Sequence, residues 1–318
     1  MKKVLIIAVI CLIVGALLVG AGWVLLQKNP IDKNITRDVV EVYRVSKAPT
    51  QIKIDTIESR VEILPIEGDE WRVECKETEK LSHTIDLTDG ILTVKQTDNR
   101  QWYDYIGILN GFLKNSVTVY LPRGTYELLD IASTSGGIKV HEGFAFANAE
   151  LKNTSGSISM ASSVEGALTV RNTSGSITVS GGVGGNLTTQ NTSGSTRVLG
   201  GVNGALQIHS NSGRIEVKDA TPTKAEVSNT SGSIYLENVI CKESCSIKNT
   251  SGSIELAYCD AMSFDVRNTS GSIRASLLSA KTFDCHSVSG GVNTPRDGNG
   301  GTFRANSTSG SIRVTVVE

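Results

Sequence analysis

The chain has 318 residues, which is enough for one or two domains with a substantial buried surface. Its 31 Lys and Arg and 32 Asp and Glu leave a net charge of −1, so no basic excess indicates a nucleic-acid-binding protein. Gly is frequent at 32 residues, and because Gly and Ser recur periodically, they indicate turns rather than a flexible linker.

The first predicted element is an apolar segment, residues 4–26, which carries no charge. About 20 such residues span a bilayer as a helix. Lys2 and Lys3 precede it, which places the N-terminus in the cytoplasm by the positive-inside rule. A cleaved signal peptide is the alternative, but the apolar run continues well past the small residues Gly20–Gly22, which favours an uncleaved anchor. We therefore expect a single-pass protein of the cell membrane with an extracytoplasmic C-terminal domain.

The sequence divides into four predicted regions: a transmembrane signal anchor at 1–26, a polar spacer at 27–38, an atypical β region at 39–126 and regular repeats at 127–318. In the atypical region, residues 52–63 resemble a degenerate repeat with Arg60 where a glycine would fall. Terminal repeats often differ because they cap an otherwise exposed core. We interpret 39–126 as a β cap with early coils, and a separate small β domain is the alternative.

Aromatic residues concentrate near the end of this region, at Trp102, Tyr103, Tyr105 and Phe112. One interpretation is a loop or short helix that plugs the end of the repeat array. The other is an interaction surface for a protein, glycan or lipid headgroup, because exposed aromatic side chains are enriched at interfaces.

The triplet Thr-Ser-Gly, or a close variant, then recurs ten times at intervals of 19 or 20 residues. Its glycines are Gly136, Gly156, Gly175, Gly194, Gly213, Gly232, Gly252, Gly271, Gly290 and Gly310. A fixed period indicates one structural unit stacked on copies of itself. Each unit has two short stretches of alternating apolar residues, which predict half-buried strands. The fold class is therefore an all-β parallel β-solenoid of about ten coils.

An asparagine stands three residues before six of these glycines, at Asn153, Asn172, Asn191, Asn229, Asn249 and Asn268. Stacked asparagines can hydrogen-bond to one another along a solenoid as an amide ladder. The same Asn-Thr-Ser triplets match the N-glycosylation pattern, but their place at the turn of each coil favours the ladder. The turn glycines and asparagines are therefore predicted to be structural.

The motifs also carry a family resemblance. Leu121-Pro122, the strand that ends at Ile131, and Ser135-Gly136-Gly137-Ile138 with its repeats resemble the bacterial putative-adhesin domain-of-unknown-function family, which includes LiaG-like membrane-anchored proteins. The resemblance spans residues 40–318. It implies a β-solenoid at the cell envelope, in some cases linked to envelope-stress operons, and it supplies no catalytic residues.

The sequence contains no G-x-S-x-G, phosphate-loop or H-E-x-x-H motif. Acidic and basic residues alternate on the predicted outer face, which is typical of a solvated sheet surface. His209 and His286 share a column but lie four coils apart, too far to bind one metal ion. Cys241 and Cys259 follow strands of adjacent coils and are candidates for a disulfide. We expect no catalytic residue, cofactor or metal site.

The leading hypothesis is a non-enzymatic, adhesin-like or partner-binding scaffold at the cell envelope, with a possible link to envelope stress. Its protein or glycan partner is not identified by the sequence. One alternative is a carbohydrate-active β-helix enzyme that acts on cell-wall or extracellular polysaccharide. The other is self-assembly through an open C-terminal coil, because the chain ends four residues after Val314 and an uncovered coil offers an unpaired edge.

Overall fold

A computed structural model describes residues 39–45, 49–77, 80–101 and 115–317, together with Gly15. The predicted membrane segment, apart from Gly15, and the aromatic residues Trp102, Tyr103, Tyr105 and Phe112 lie outside the described residues. Within the described part, no helix is long and apolar enough to cross a bilayer. Residues from Val40 onward form one compact unit.

This unit is built from β-strands. In chain order they are β1 (Val39–Val45), β2 (Gln51–Thr56), β3 (Arg60–Ile66), β4 (Trp71–Glu77), β5 (Leu81–Thr88), β6 (Ile91–Asp98), β7 (Ser116–Pro122), β8 (Gly124–Ser135), β9 (Ile138–Val140), β10 (Phe144–Ser155), β11 (Ile158–Met160), β12 (Ser163–Val164), β13 (Leu168–Ser174), β14 (Ile177–Val179), β15 (Leu187–Ser193), β16 (Thr196–Val198), β17 (Leu206–Ser212), β18 (Ile215–Ala220), β19 (Lys224–Ser231), β20 (Ile234–Ser251), β21 (Ile254–Ser270), β22 (Ile273–Leu277), β23 (Thr282–Ser289), β24 (Val292–Asn293), β25 (Thr302–Ser309) and β26 (Ile312–Val316).

The repeats stack as a parallel β-solenoid, which confirms the predicted fold. In each coil the strand before the Thr-Ser-Gly turn joins one sheet and the strand after it joins a second sheet. The first sheet runs β8, β10, β13, β15, β17 and β19, all parallel and in register. The second sheet runs β9, β11, β14, β16 and β18 in the same way. The long strands β20 and β21 pass through both.

Alternating burial along each strand builds the core between the two sheets. In β14, for example, Ile177 and Val179 are buried and Thr178 between them is half-buried. The same apolar columns continue from coil to coil, so each buried side chain packs on its counterpart in the next coil about 4.8 Å away. A third column of isolated bridges, Val164 to Val183 to Val202, adds buried valines between the sheets.

At the N-terminal end, the order of the coils in space differs from their order in the chain. Strand β2 pairs with both β6 and β8, and β3 pairs with both β7 and β9. The first coil is therefore inserted between the β6–β7 coil and the first repeat. The register pairs Thr56 with Ser133 and Val61 with Ile138. Ser59, and not Arg60 as expected, thus lies opposite Gly136. Strand β4 pairs antiparallel with β7, and β5 pairs antiparallel with β6.

The C-terminal end shows a similar insertion. Strand β25 pairs with β21 on one side and β23 on the other, and β26 lies in the same way between β22 and β24. The last coil in the sequence is therefore internal, and the β23–β24 coil ends the stack. The expectation that the last coil in the sequence has an open edge is wrong, because the chain folds back and inserts this coil between the β21–β22 coil and the β23–β24 coil. Val288 and Val292 on the terminal coil are 73% and 43% exposed.

Lys281 holds this insertion together from inside. Its ammonium group is buried and donates to the carbonyls of Ala261, at 2.6 Å, and Gly300. It also pairs with the Asp260 carboxylate at 2.5 Å. Asp260 and Ala261 lie on β21, whereas Gly300 lies just before β25. One cation therefore satisfies polar groups of both segments.

Candidate functional site

The repeated turn is a structural site. The φ angles of Gly156, Gly175 and Gly194 are 122°, 121° and 123°, a region that side-chain-bearing residues rarely adopt. A Cβ atom on Gly175 would also lie 2.3 Å from the carbonyl oxygen of Gly156 in the preceding coil. The same contact recurs from coil to coil at Gly232, Gly252 and Gly271. Glycine is therefore needed both for its backbone angle and for the close stacking of the turns.

The asparagine column bonds differently from the predicted amide ladder. Each Nδ2 donates to the carbonyl of the motif glycine in the preceding coil, for example Asn172 to Gly156 at 2.9 Å. The equivalent bonds are made by Asn153, Asn191, Asn229, Asn249 and Asn268 at 2.7 to 3.1 Å. Among the described residues, the Oδ1 atoms of Asn172 and its later counterparts have no hydrogen-bond partner. The ladder thus joins side chain to backbone and not amide to amide.

A shallow groove of about 640 Å³ runs along the first sheet beside this column. It crosses β2, β8, β10, β13, β15 and β17, six stacked strands that span about 24 Å at the usual strand spacing. Its floor and walls are hydroxyl, amide and basic side chains in parallel columns. The lining includes Thr134, Thr154, Thr173, Thr192, Lys152, Arg171, Gln190, His209 and Asn211. The threonine column repeats at successive coils, whereas the column beside it changes from Lys152 and Arg171 to Gln190 and His209.

The charges in and beside the groove are only partly compensated. Glu150 lies 2.8 Å from Lys152 and 3.9 Å from Arg171, in agreement with the alternating charges predicted for this face. Of the residues that line the groove, Asp55 at one end is the only carboxylate. Glycoside hydrolases commonly use two carboxyl groups about 5 to 10 Å apart, and the lining of this groove does not contain such a pair.

The second candidate site, after the groove, is a buried polar cluster near the N-terminal end of the stack. The Glu77 carboxylate is 2.9 Å from Nδ1 of His83, and Nε2 of His83 is 3.1 Å from the Ser59 hydroxyl. Gln96 donates to the same hydroxyl at 2.9 Å. Burial lowers the pKa of His83, and the bond to Glu77 offsets this only in part. Cys75 is also close, with its sulfur within 4.8 Å of ligand atoms on Glu77 and His83.

The connectivity of Ser59, His83 and Glu77 is that of a hydrolytic triad, but its surroundings do not suit acyl transfer. Ser59 is fully buried, and the backbone N–H groups of residues 57 and 58 both donate to Gln96. Those N–H groups are therefore not free to stabilise an oxyanion. Sequence reasoning missed this cluster, because its members come from the turn before β3 and from strands β4, β5 and β6. The only local signal was Cys75-Lys-Glu77 followed by His83.

The cysteines of the C-terminal half are free thiols, so the candidate disulfide between Cys241 and Cys259 is not formed. The register explains this, because Cys241 pairs with Ala261 and not with Cys259. Cys245 instead hydrogen-bonds to Cys241, and this bond together with burial raises its pKa. Burial raises the pKa of Cys259 to about 12 and that of Cys285 to about 11. Such thiols are protonated and poorly nucleophilic at neutral pH.

Comparison with known proteins gives a family and several distant structures. The Toastrack DUF4097 family model matches residues 50–237 and 202–318, and this match confirms the resemblance predicted from the repeat. A crystal structure of a putative adhesin from Bacteroides fragilis is similar at 13% identity and a TM-score of 0.38, covering 88% of this chain and 99% of that chain. A putative adhesin from Parabacteroides distasonis is similar at 12% identity and a TM-score of 0.33, covering 87% and 98%. No curated protein matches the chain. Because the two matched segments together run from residue 50 to residue 318, the chain belongs to the Toastrack DUF4097 family.

Proposed function

We propose that this protein is a membrane-anchored, extracytoplasmic scaffold that binds an extended envelope glycan along the groove of its first sheet, as a non-enzymatic, adhesin-like component. The single observation that carries the proposal is the groove itself. It runs across six stacked strands and presents a regular column of threonine hydroxyls beside amide and basic groups. An extended polymer with repeating polar units fits such a surface, since a threonine hydroxyl recurs at four successive coils.

The composition of the groove favours binding over hydrolysis. Its exposed threonine hydroxyls and the Asn211 amide can donate and accept hydrogen bonds with sugar hydroxyls, and Lys152 and Arg171 suit anionic substituents on a wall polymer. The side chains stand on strands locked in register from coil to coil, so little backbone conformational entropy is lost on binding. The lone carboxylate, Asp55, provides no partner for acid–base cleavage of a glycosidic bond.

Binding is tested with the full chain and purified wall glycan in a co-sedimentation assay. The double variant Lys152→Ala/Arg171→Ala should weaken binding at least tenfold, and binding by the unaltered chain should fall with rising salt because exposed charges are screened. The matched control is Arg274→Ala/Arg313→Ala, two exposed arginines on the second sheet. Equal binding by both double variants would refute the groove as the glycan site.

The anchor rests on residues 4–26, which are uncharged and long enough to span a bilayer. In cell fractionation the full chain should remain with membranes after alkaline carbonate washing, whereas release into the wash would contradict an integral anchor. A link to envelope stress is the further expectation from the family resemblance. A strain that lacks the chain should then respond differently to antibiotics that inhibit wall synthesis, and an unchanged response would remove that link.

Self-assembly is a second candidate, and one observation favours it. Among the described residues, the outer edges of β23 and β24 have no strand partner, and unpaired edges can add a strand from another copy. The edge is partly closed, because the Phe283 N–H donates to the Asp297 carboxylate at 3.0 Å. Asp297→Ala should therefore increase self-association in analytical ultracentrifugation. A variant that stays monomeric at high concentration would remove this candidate.

A further inference from the structure

Three side chains able to bind a metal converge in the N-terminal cap. The Sγ of Cys75, a carboxylate oxygen of Glu77 and a ring nitrogen of His83 all lie within 4.8 Å of one another. All three residues are buried, at 0%, 8% and 6% exposure. Cys75 and Glu77 lie on β4, separated by one residue so that they share a strand face, and His83 lies on β5. Sulfur, nitrogen and carboxylate ligands are thus brought together without reaching into solvent.

The spacing of the nitrogen and oxygen suits one metal ion. Nδ1 of His83 and Oε1 of Glu77 are 2.9 Å apart. An ion at about 2.1 Å from each, the usual length of such bonds, would subtend an angle of roughly 90° between them. This is close enough to tetrahedral geometry for small side-chain shifts to complete it, with the Cys75 sulfur moving inward to the longer distance of about 2.3 Å.

The groups behind the imidazole also fit a ligand role. Metal-binding histidines usually hydrogen-bond through the second ring nitrogen, which fixes the orientation of the ring. Nε2 of His83 already lies 3.1 Å from the Ser59 hydroxyl, which Gln96 holds from the other side at 2.9 Å. When Nδ1 binds a metal, the imidazole proton moves to Nε2 and is donated to Ser59. The Ser59 hydroxyl is positioned to accept it.

We propose that Cys75, Glu77 and His83 bind one divalent transition-metal ion of the Zn²⁺ class. A thiolate, a carboxylate and a neutral imidazole carry a total charge of −2, so a divalent cation leaves the buried site neutral, which limits the cost of desolvating it. Binding releases the thiol proton of Cys75 to solvent. The sulfur and nitrogen ligands select against Mg²⁺ and Ca²⁺, which prefer oxygen. Water completes the coordination.

The bound ion would act as a staple for the cap. Strand β4 pairs with β7 in the second sheet, whereas β5 pairs with β6 in the first. Ligands from both strands therefore tie together the antiparallel strands added to the two sheets at this end. Because a structural metal binds the folded site and not the dispersed ligands of the unfolded chain, its binding free energy adds to the stability of the fold.

The test uses the full chain, stripped with EDTA and titrated with Co²⁺, whose complexes with thiolates absorb in the near ultraviolet. We expect one equivalent to bind with a thiolate-to-cobalt band, Zn²⁺ to displace it, and Zn²⁺ at a hundredfold excess over Kd to raise the Tm by about 5 °C or more. Mg²⁺ should do neither. A chain that takes up no Co²⁺ and shows no Zn²⁺-dependent Tm shift would overturn the proposal.

Variants assign the ligands. Cys75→Ser should abolish the cobalt band, and His83→Gln should weaken Co²⁺ binding at least tenfold, so that one variant remains informative if the other fails to fold. The matched control is Cys285→Ser, a half-buried thiol on the terminal coil at the opposite end of the stack, which should leave the band unchanged. A band that persists in Cys75→Ser, or disappears in Cys285→Ser, would show that the metal binds elsewhere.

Discussion

Replacement of a motif glycine by alanine tests the stacking of the turns. In Gly175→Ala the new Cβ would lie 2.3 Å from the Gly156 carbonyl oxygen, and the backbone φ of 121° would be strained for alanine. The strained φ costs about 1–3 kcal/mol, and forcing the coils apart costs about 1–3 kcal/mol more. The displaced carbonyl also accepts from Asn172 at 2.9 Å, and loss of that bond costs about 1 kcal/mol.

We therefore expect Gly175→Ala to lower the free energy of unfolding by about 3–7 kcal/mol in denaturant titrations followed by circular dichroism. The matched control is Gly182→Ala in the following loop. Its added Cβ would meet nothing nearer than 3.9 Å, and its φ lies outside the left-handed region. The control should change stability by less than about 0.5 kcal/mol. If Gly175→Ala were as stable as the control, the turn glycines would not be required by stacking.

Three further changes probe other parts of the fold. Asn172→Ala leaves the half-buried Gly156 carbonyl without its donor and should cost about 1–3 kcal/mol in the free energy of unfolding, whereas Thr173→Ala at the adjacent exposed position should cost less than about 0.5 kcal/mol. Lys281→Ala removes the buried cation and should cost about 3 kcal/mol, as measured by thermal unfolding. Because burial raises the pKa values of Cys259 and Cys285, alkylation of the native chain at pH 8 should be slow at both, and fast after unfolding without reductant.

Each of these predictions has a contrary result. If Asn172→Ala and Thr173→Ala were equally stable, the side-chain-to-backbone ladder would contribute nothing to the free energy of unfolding. If the Lys281→Ala chain were as stable as the unaltered one, β21 and the segment before β25 would need no cation between them. Cysteines that stay unlabelled in the unfolded, unreduced chain would indicate disulfides, against the free thiols of the structure.

The repeats could be predicted in detail because each coil is determined by local sequence and by its immediate neighbours. The turn glycines, the inward apolar columns and the asparagine column all follow from the 19- or 20-residue period. The asparagine bonding partner could not be predicted in the same way. Whether Asn172 meets another amide or the Gly156 carbonyl depends on the height and twist between coils, which the period alone does not give.

The sequence by itself determined the fold class. Repeats of fixed length with alternating apolar residues bury those residues when equivalent strands of successive coils stack on one another. Only the tertiary structure decided which coils neighbour one another at the two ends. There the strand β25 lies between β21 and β23, and β2 lies between β6 and β8. The tertiary structure also brought His83 beside Cys75, Glu77 and Ser59. Local patterns cannot specify such neighbours, because any apolar strand edge of this period can pair with several others, and the choice depends on the packing of the whole chain.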